Sequence, residues 1–361
     1  MSTNPSFRAA AWSRLRKNKG ALFGLVIIIL AVFISIFAYF LSPDHSPYAN
    51  RIVLEIGGEK PGYTMQFLRV KKEKNVQATG FFRRLASGAE DPWYYIPVVN
   101  WTRKGDSLVA EQFVDAGLTE QKTYAYNQLA PEPVVQQRFR LGTDKYGRDI
   151  LSRIIVGTRV SLSVGLITVL ISLSIGLVLG SLAGYYRGRV DDGIMWFINV
   201  IWSIPTLLLV FAITLALGKG FWQVFIAVGL TMWVNVARLV RGQVMAEREK
   251  EYVEATRALG FSSLRTIVRH IWPNIMGPVM VIAAGNFAAA IVIEAGLSFL
   301  GVGVQPPMPS WGLMMKENYN FIITQNPVLA LAPGFAIMIL VLAFNLLGNG
   351  LRDALNVRGR I

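Results

Sequence analysis

ALFGLVIIILAVFISIFAYFL, residues 21–41, holds no charged side chain over a length that suits a bilayer. A helix needs about 20 mostly apolar residues to cross roughly 30 Å of hydrocarbon. The run follows a basic tail with Arg8, Arg14, Arg16, Lys17 and Lys19. A cleaved signal peptide would carry a shorter apolar region and end on a small-x-small site. This run is longer and lacks that site, so a retained membrane anchor is expected.

Composition extends the reading to the whole chain. Of 361 residues, 53% are hydrophobic and 16% are charged. A soluble domain carries about 25% charged residues, so this chain is short of solvated surface. The absence of Cys excludes disulfides and thiolate metal sites. The two histidines, His45 and His270, stand far apart, and no metal site is expected. A net charge of +14 suits nucleic acid in a soluble protein, but in an apolar chain it reads as basic residues gathered on one side of a membrane. No nucleic-acid partner is expected, and membrane lipid is.

Five further apolar runs follow, at residues 160–185, 194–217, 221–236, 275–302 and 328–347. Pro205 and Pro333 fall within two of them, which neighbouring helices tolerate in a bilayer. The expected fold is an all-α polytopic membrane protein with six transmembrane helices. Between the first and second lies a polar stretch rich in Pro and Gly. Within it, residues 63–70 and 93–99 read as strands, so a mixed or β-rich insertion is expected. Three parts result: a tail and first helix over 1–41, an insertion over 42–159 that ends in an interfacial segment, and a five-helix core over 160–361.

Charge in the short loops sets orientation. With the N-terminus inside, the inner segments hold the basic tail, Arg187, Arg189, the residues from Arg238 to Arg269, and Arg352, Arg358 and Arg360. The short outer loops hold only Lys219 and Lys316. Both termini are expected in the cytoplasm and the insertion outside.

The inner loop 238–274 has internal order. Tyr252, Ala255, Thr256 and Leu259 recur at helical spacing, and so do Leu264, Ile267, Val268 and Ile271. Gly260 is placed to end the first helix, Ser262 to cap the second, and Pro273 to end it. Such a pair either lies on lipid headgroups or docks a cytoplasmic partner.

Other features carry less chemistry. Residues 142–149, GTDKYGRD, miss a phosphate-binding loop because Arg148 and Asp149 stand where Lys and Ser or Thr are needed. Glu294 lies inside a predicted span, where a carboxylate must face protein or water. It and Asn286 are candidates for a pathway lining or for packing. Gly176, Gly180 and Gly184 form two overlapping GxxxG repeats, a close-packing stripe.

EYVEATRALGFSSLRTIVRHIWPN, residues 251–274, resembles the EAA loop of bacterial ATP-binding-cassette importer permeases. Glu254, Ala255 and Gly260 match that pattern; Thr256 replaces its second Ala, and Trp272 stands where Leu usually precedes Pro273. In that family the loop carries the coupling helix, which enters a cleft on the ATPase. The resemblance therefore assigns ATPase coupling to Glu254, Ala255, Thr256, Leu259, Gly260, Phe261, Ser262 and Leu264. LGTDKYGRDILSRIIVGTRVSL (141–162) and LSFLGVGVQPPMPSWG (297–312) resemble segments of the C-type permease of dipeptide, oligopeptide and nickel importers. The long insertion is more like the branch that takes larger peptides or microcin-like compounds.

What the resemblance implies is a type I importer permease of the bacterial inner membrane, forming half of a pathway for peptides or similar small solutes. It implies a second, related permease, two cytoplasmic ATP-binding subunits and an external binding protein. ATP and Mg would act in the partner subunits; this chain would be non-catalytic and bind no cofactor. The rival from another class is a secondary transporter or channel, which wants internal repeats and intramembrane acid or Arg pairs. A third is an anchored receptor built around the insertion, for which five more spans are excessive.

Overall fold

The computed structural model describes residues 7–73, 76, 79–323 and 326–355; Arg358 and Arg360 of the basic tail lie outside them. Among the described residues, five helices are long and apolar enough to cross a membrane: Lys19–Ile36, Ile150–Tyr186, Phe221–Arg248, Ser263–Leu300 and Val328–Leu355. A sixth crossing needs a broken pair, Gly188–Trp202 and Thr206–Leu217, bent by 89°. In chain order the helices are α1 Phe7–Lys17, α2 Lys19–Ile36, α3 Ala38–Leu41, α4 Phe81–Ser87, α5 Ile150–Tyr186, α6 Gly188–Trp202 and α7 Thr206–Leu217. They continue with α8 Phe221–Arg248, α9 Glu251–Ala258, α10 Ser263–Thr266, α11 Trp272–Leu300, α12 Trp311–Asn318 and α13 Val328–Leu355.

Four departures from the sequence reading have local causes. The apolar run 194–217 is not one straight helix. Pro205 has no N–H and disfavours helical geometry at Ile204, so α6 stops at Trp202 and α7 restarts after Pro205. The short run 221–236 is only the front of α8, whose 28 residues absorb Arg238 to Arg248. The inner loop therefore shrinks to the residues between α8 and α10. Pro273 does not end a helix: a π-turn over Ile267–Ile271 widens the backbone just before it and joins α10 to α11 as one helix, Ser263–Leu300, that carries Pro273 within it. Finally, the interfacial segment expected before residue 160 is the start of a continuous 37-residue α5. Its buried side carries Ile150, Ser152, Arg153 and Val156, while Leu151, Ile154 and Ile155 are only half-buried.

The chain divides into two compact units. One holds the described part of 1–31, 161–304 and 337–361. Its core packs α7, α8 and α11 through Val210, Val224, Phe225, Val228, Ala290 and Leu297. Here the glycine stripe of α5 lies on α8. A Cβ at Gly176 would fall 2.5 Å from the Val236 side chain, one at Gly180 2.5 Å from the Ala237 carbonyl oxygen, and one at Gly184 2.6 Å from that of Arg241. Only glycine admits this approach.

The other unit holds 32–160 and 305–336. Its centre is a five-stranded antiparallel sheet of β1 Tyr63–Lys71, β2 Trp93–Lys104, β3 Ser107–Asp115, β4 Leu118–Ala125 and β5 Leu129–Phe139, in the order β4-β3-β2-β1-β5. Side chains alternate across a strand, and both faces of β1 are covered. Met65 and Phe67 join Val53, Ile56 and Phe139 on one face; Leu68 joins Val98, Leu108, Ala110 and Leu129 on the other. The two expected strands are therefore present, and the sheet is larger than the sequence indicated.

Candidate functional site

The loop between α8 and α11 is a rigid corner. α9 ends in a left-handed cap: Gly260 has φ +75°, its N–H donates to Arg257 O at 2.9 Å, and Phe261 N–H donates to Thr256 O at 3.0 Å. These two bonds satisfy the last carbonyls of α9, and glycine carries the positive φ without strain. Ser262 then caps α10 by accepting from Arg265 N–H at 3.4 Å. Phe261 is held between the His270 ring, stacked at 5.7 Å, and the Arg265 guanidinium, 4.1 Å from its centroid.

The corner is pinned from below. Val253, Ile267 and Ile271 pack with Val236, Val240 and Val244 of α8. Thr256 is buried, donates to Val253 O at 2.7 Å and lies 3.3 Å from Thr266 Oγ1. Tyr252 Oη donates to Glu247 at 2.7 Å and accepts from Asn274 at 3.2 Å. Burial, aided by the Glu247 carboxylate, pushes the Tyr252 phenol up to about 12, so it stays a donor throughout the physiological range. Trp272 Nε1 donates to Ser181 of α5 at 2.9 Å.

What faces outward differs from the periodicity reading. Of Tyr252, Ala255, Thr256 and Leu259, only Thr256 is fully buried; Tyr252 is half-buried and Ala255 exposed. Leu259 is 71% exposed and Leu264 72% exposed, while Ile267 and Ile271 are buried. Glu254, Gly260 and Ser262 are also exposed. The corner thus shows two large apolar side chains, one on each side of Gly260, and holds them on a well-bonded frame. Val253, which does most to seat α9, lies outside the stripe that spacing suggested.

The remaining candidates sit elsewhere. Glu294 is buried in α11 and accepts from Ser298 Oγ at 2.6 Å; Ser298 Oγ in turn accepts from Val304 N–H at 3.0 Å. Asn286 is buried too and lines a cavity with Leu239, Val281, Ile282, Gly285 and Arg352. The geometry does not bring Glu294 into that lining.

The segment that misses a phosphate loop makes a buried charge cluster, invisible to spacing. Asp144 accepts from the backbone of Tyr146 and Arg148, at 2.9 and 3.0 Å, and from Arg148 Nε at 2.6 Å. Arg148 and Arg153, both buried, reach Glu317 of α12 at 2.8 and 3.3 Å. Burial raises the neighbouring Asp149 carboxyl. The segments 141–162 and 297–312 also meet: a Cβ at Gly157 would fall 2.9 Å from the Trp311 ring, and Trp311 Nε1 donates to Ile154 O at 3.1 Å.

Residues 176–360 match the family described as binding-protein-dependent transport system inner membrane component. Residues 6–54 match the N-terminal TM domain of oligopeptide transport permease C. The chain is 43% identical over 216 residues to the glutathione transport system permease protein GsiD of Pectobacterium atrosepticum, covering 60% of this chain and 71% of that one. It is 44% identical over 221 residues to the di/tripeptide transport system permease protein DppC of Pseudomonas aeruginosa, covering 61% and 73%. It is 34% identical over 302 residues to the dipeptide transport system permease protein DppC of Bacillus subtilis, covering 81% and 92%.

Proposed function

Since the chain belongs to the family of binding-protein-dependent transport system inner membrane components, we propose that it imports short peptides as one of two paired permeases, and that the corner from α9 to α10 is its contact with an ATPase. The chain is a permease subunit of an ATP-binding-cassette importer; hydrolysis of ATP belongs to partner subunits. The peptide assignment rests on the relatives, whose names specify glutathione, dipeptides and tripeptides.

The observation that carries the coupling reading is the exposure of Leu259 and Leu264 on either side of the Gly260 cap. Fully burying a leucine contributes about 1.5–3 kcal/mol, and this chain leaves that contribution unused at both. A partner cleft would collect it, and a corner pinned by Val253, Ile267 and Tyr252 would transmit a tilt to α8 and α11 rather than absorb it. Glu254, Ala255, Thr256, Phe261 and Ser262 belong to the same element: Thr256, Phe261 and Ser262 build the corner, and Glu254 and Ala255 offer an outer face.

In this reading the bent α6–α7 pair is the sixth crossing, both termini are cytoplasmic, and the sheet lies outside, where a binding protein delivers substrate. The pathway forms between the two permeases, with the Asn286 cavity a candidate for its wall. Glu294 is a packing residue that ties α11 to the 301–304 turn through Ser298.

Gly260→Asp tests the coupling element. No atom lies within 4 Å of a Cβ at Gly260, so the chain itself is not crowded, but a side chain at φ +75° costs about 1–2 kcal/mol and shifts the corner. The variant is expected to insert at normal level, to lose co-purifying ATPase subunits, and to fail in ATP-dependent peptide uptake by proteoliposomes. Normal docking with normal uptake would refute the assignment.

A further inference from the structure

We propose that α4 is a membrane-interface anchor: Phe81 and Phe82 enter the bilayer boundary, and Arg83 meets lipid phosphate. Phe82 is 83% exposed and Phe81 59% exposed, side by side on a helix of seven residues. Exposed aromatic pairs are unfavourable in water, whereas aromatic side chains are enriched at the headgroup level of membranes.

The position of α4 makes lipid the occupant. The 18 residues of α2 rise about 27 Å at 1.5 Å per residue, close to one hydrocarbon thickness, and α3 follows directly after a break at Phe37. Thus α3 stands at a membrane boundary, and α4 is strapped to it. The Phe81 ring lies 5.4 Å from Phe40, and the Arg84 guanidinium sits 4.8 Å over the same ring. Arg159 donates to Leu85 O at 2.8 Å, and Ala89 N–H donates to His45 O at 2.9 Å.

The neighbouring helices also expose apolar side chains. Within α2 only Ala21 and Gly24 are buried among the described residues, so most of the first span is free to face lipid. Phe33 and Ile36 of α2 and Leu41 of α3 are exposed, as are Phe81 and Phe82, and the Phe81 ring meets Phe40 of α3. Arg84 is committed to Phe40, while Arg83 is exposed beside Phe82. A bilayer of either surface charge supplies lipid phosphate, and the inference holds whichever leaflet the end of α3 occupies.

The Cys-free chain suits a site-directed test. A nitroxide is attached at Phe82→Cys, and separately at Leu118→Cys on β4 as an exposed reference, in the assembled complex in phospholipid nanodiscs. At position 82, collisions with oxygen are expected to exceed those with a water-soluble nickel chelate, and at position 118 the order is expected to reverse. Chelate access at 82 equal to that at 118 would overturn the anchor. Shielding of 82 from both reagents would overturn it too, because it would mean that protein, not lipid, covers the site.

Discussion

Gly180→Ala isolates the close approach of α5 to α8. The added Cβ would lie 2.5 Å from Ala237 O, 2.8 Å from Val240 Cβ and 3.1 Å from Ala237 Cα. Ordinary contact begins near 3.4 Å, so the helices must part by roughly 1 Å at this level. A radial gap of about 0.5–1 Å already forfeits a quarter to a half of the dispersion energy of the contacts it opens. Gly176 and Gly184 rest on the same helix one turn away on each side, so parting at Gly180 loosens both. Overpacking of this kind costs about 1–3 kcal/mol.

Alanine has a competing benefit, since it is about 1 kcal/mol better than glycine within a helix. The net expectation is a loss of about 0–2 kcal/mol, or up to some 30-fold in the folded-to-unfolded ratio. Gly193→Ala in α6 provides the control. Gly193 is exposed with no atom within 4 Å of its Cβ position, so only the benefit applies and stability should hold or rise. Detergent-titrated unfolding of the purified complex in mixed micelles reads both. If Gly180→Ala proved as stable as Gly193→Ala, the glycine stripe would not set the helix spacing.

Two further outcomes are expected. Glu317→Ala removes one of the two carboxylates that the buried Arg148 and Arg153 share, leaving Asp144, so the loss should be clear but smaller than the about 3–5 kcal/mol of leaving a buried charge wholly unpaired; Glu317→Gln keeps an acceptor and should lose less in the same titration, and a Glu317→Ala complex as stable as the parent would sink the reasoning. Single cysteines at Ser107 and Ser263 report sidedness: an impermeant thiol reagent on intact cells should label position 107 and spare 263, and the opposite pattern would reverse the topology.

Much of the architecture was legible because membranes impose strong rules. Spans declare themselves by length, as in residues 21–41, and the strand β1 by its aromatic and β-branched residues. β4 was hidden for the opposite reason. Leu118–Ala125 reads LTEQKTYA and is exposed at nearly every position, so no face of it carries an apolar signal; its pairing with β3 holds it in place. The Arg148–Glu317 pair was hidden by distance, since its members are 169 residues apart and only the fold brings them together.

The corner shows where periodicity misleads in a chain built for assembly. Spacing sorts apolar residues into one stripe and assumes that the stripe is the inside. In α9 the residue that meets the core is Val253, and the leucine of the stripe points out. A soluble monomer would face no demand for leucine at 259 or 264, because neither contributes to its own core. In the proposed reading their hydrophobicity serves a second surface, as that of Phe82 serves lipid. For such a chain the burial pattern within one subunit separates two kinds of apolar residue: those that fold it, and those that join it to what lies beside it.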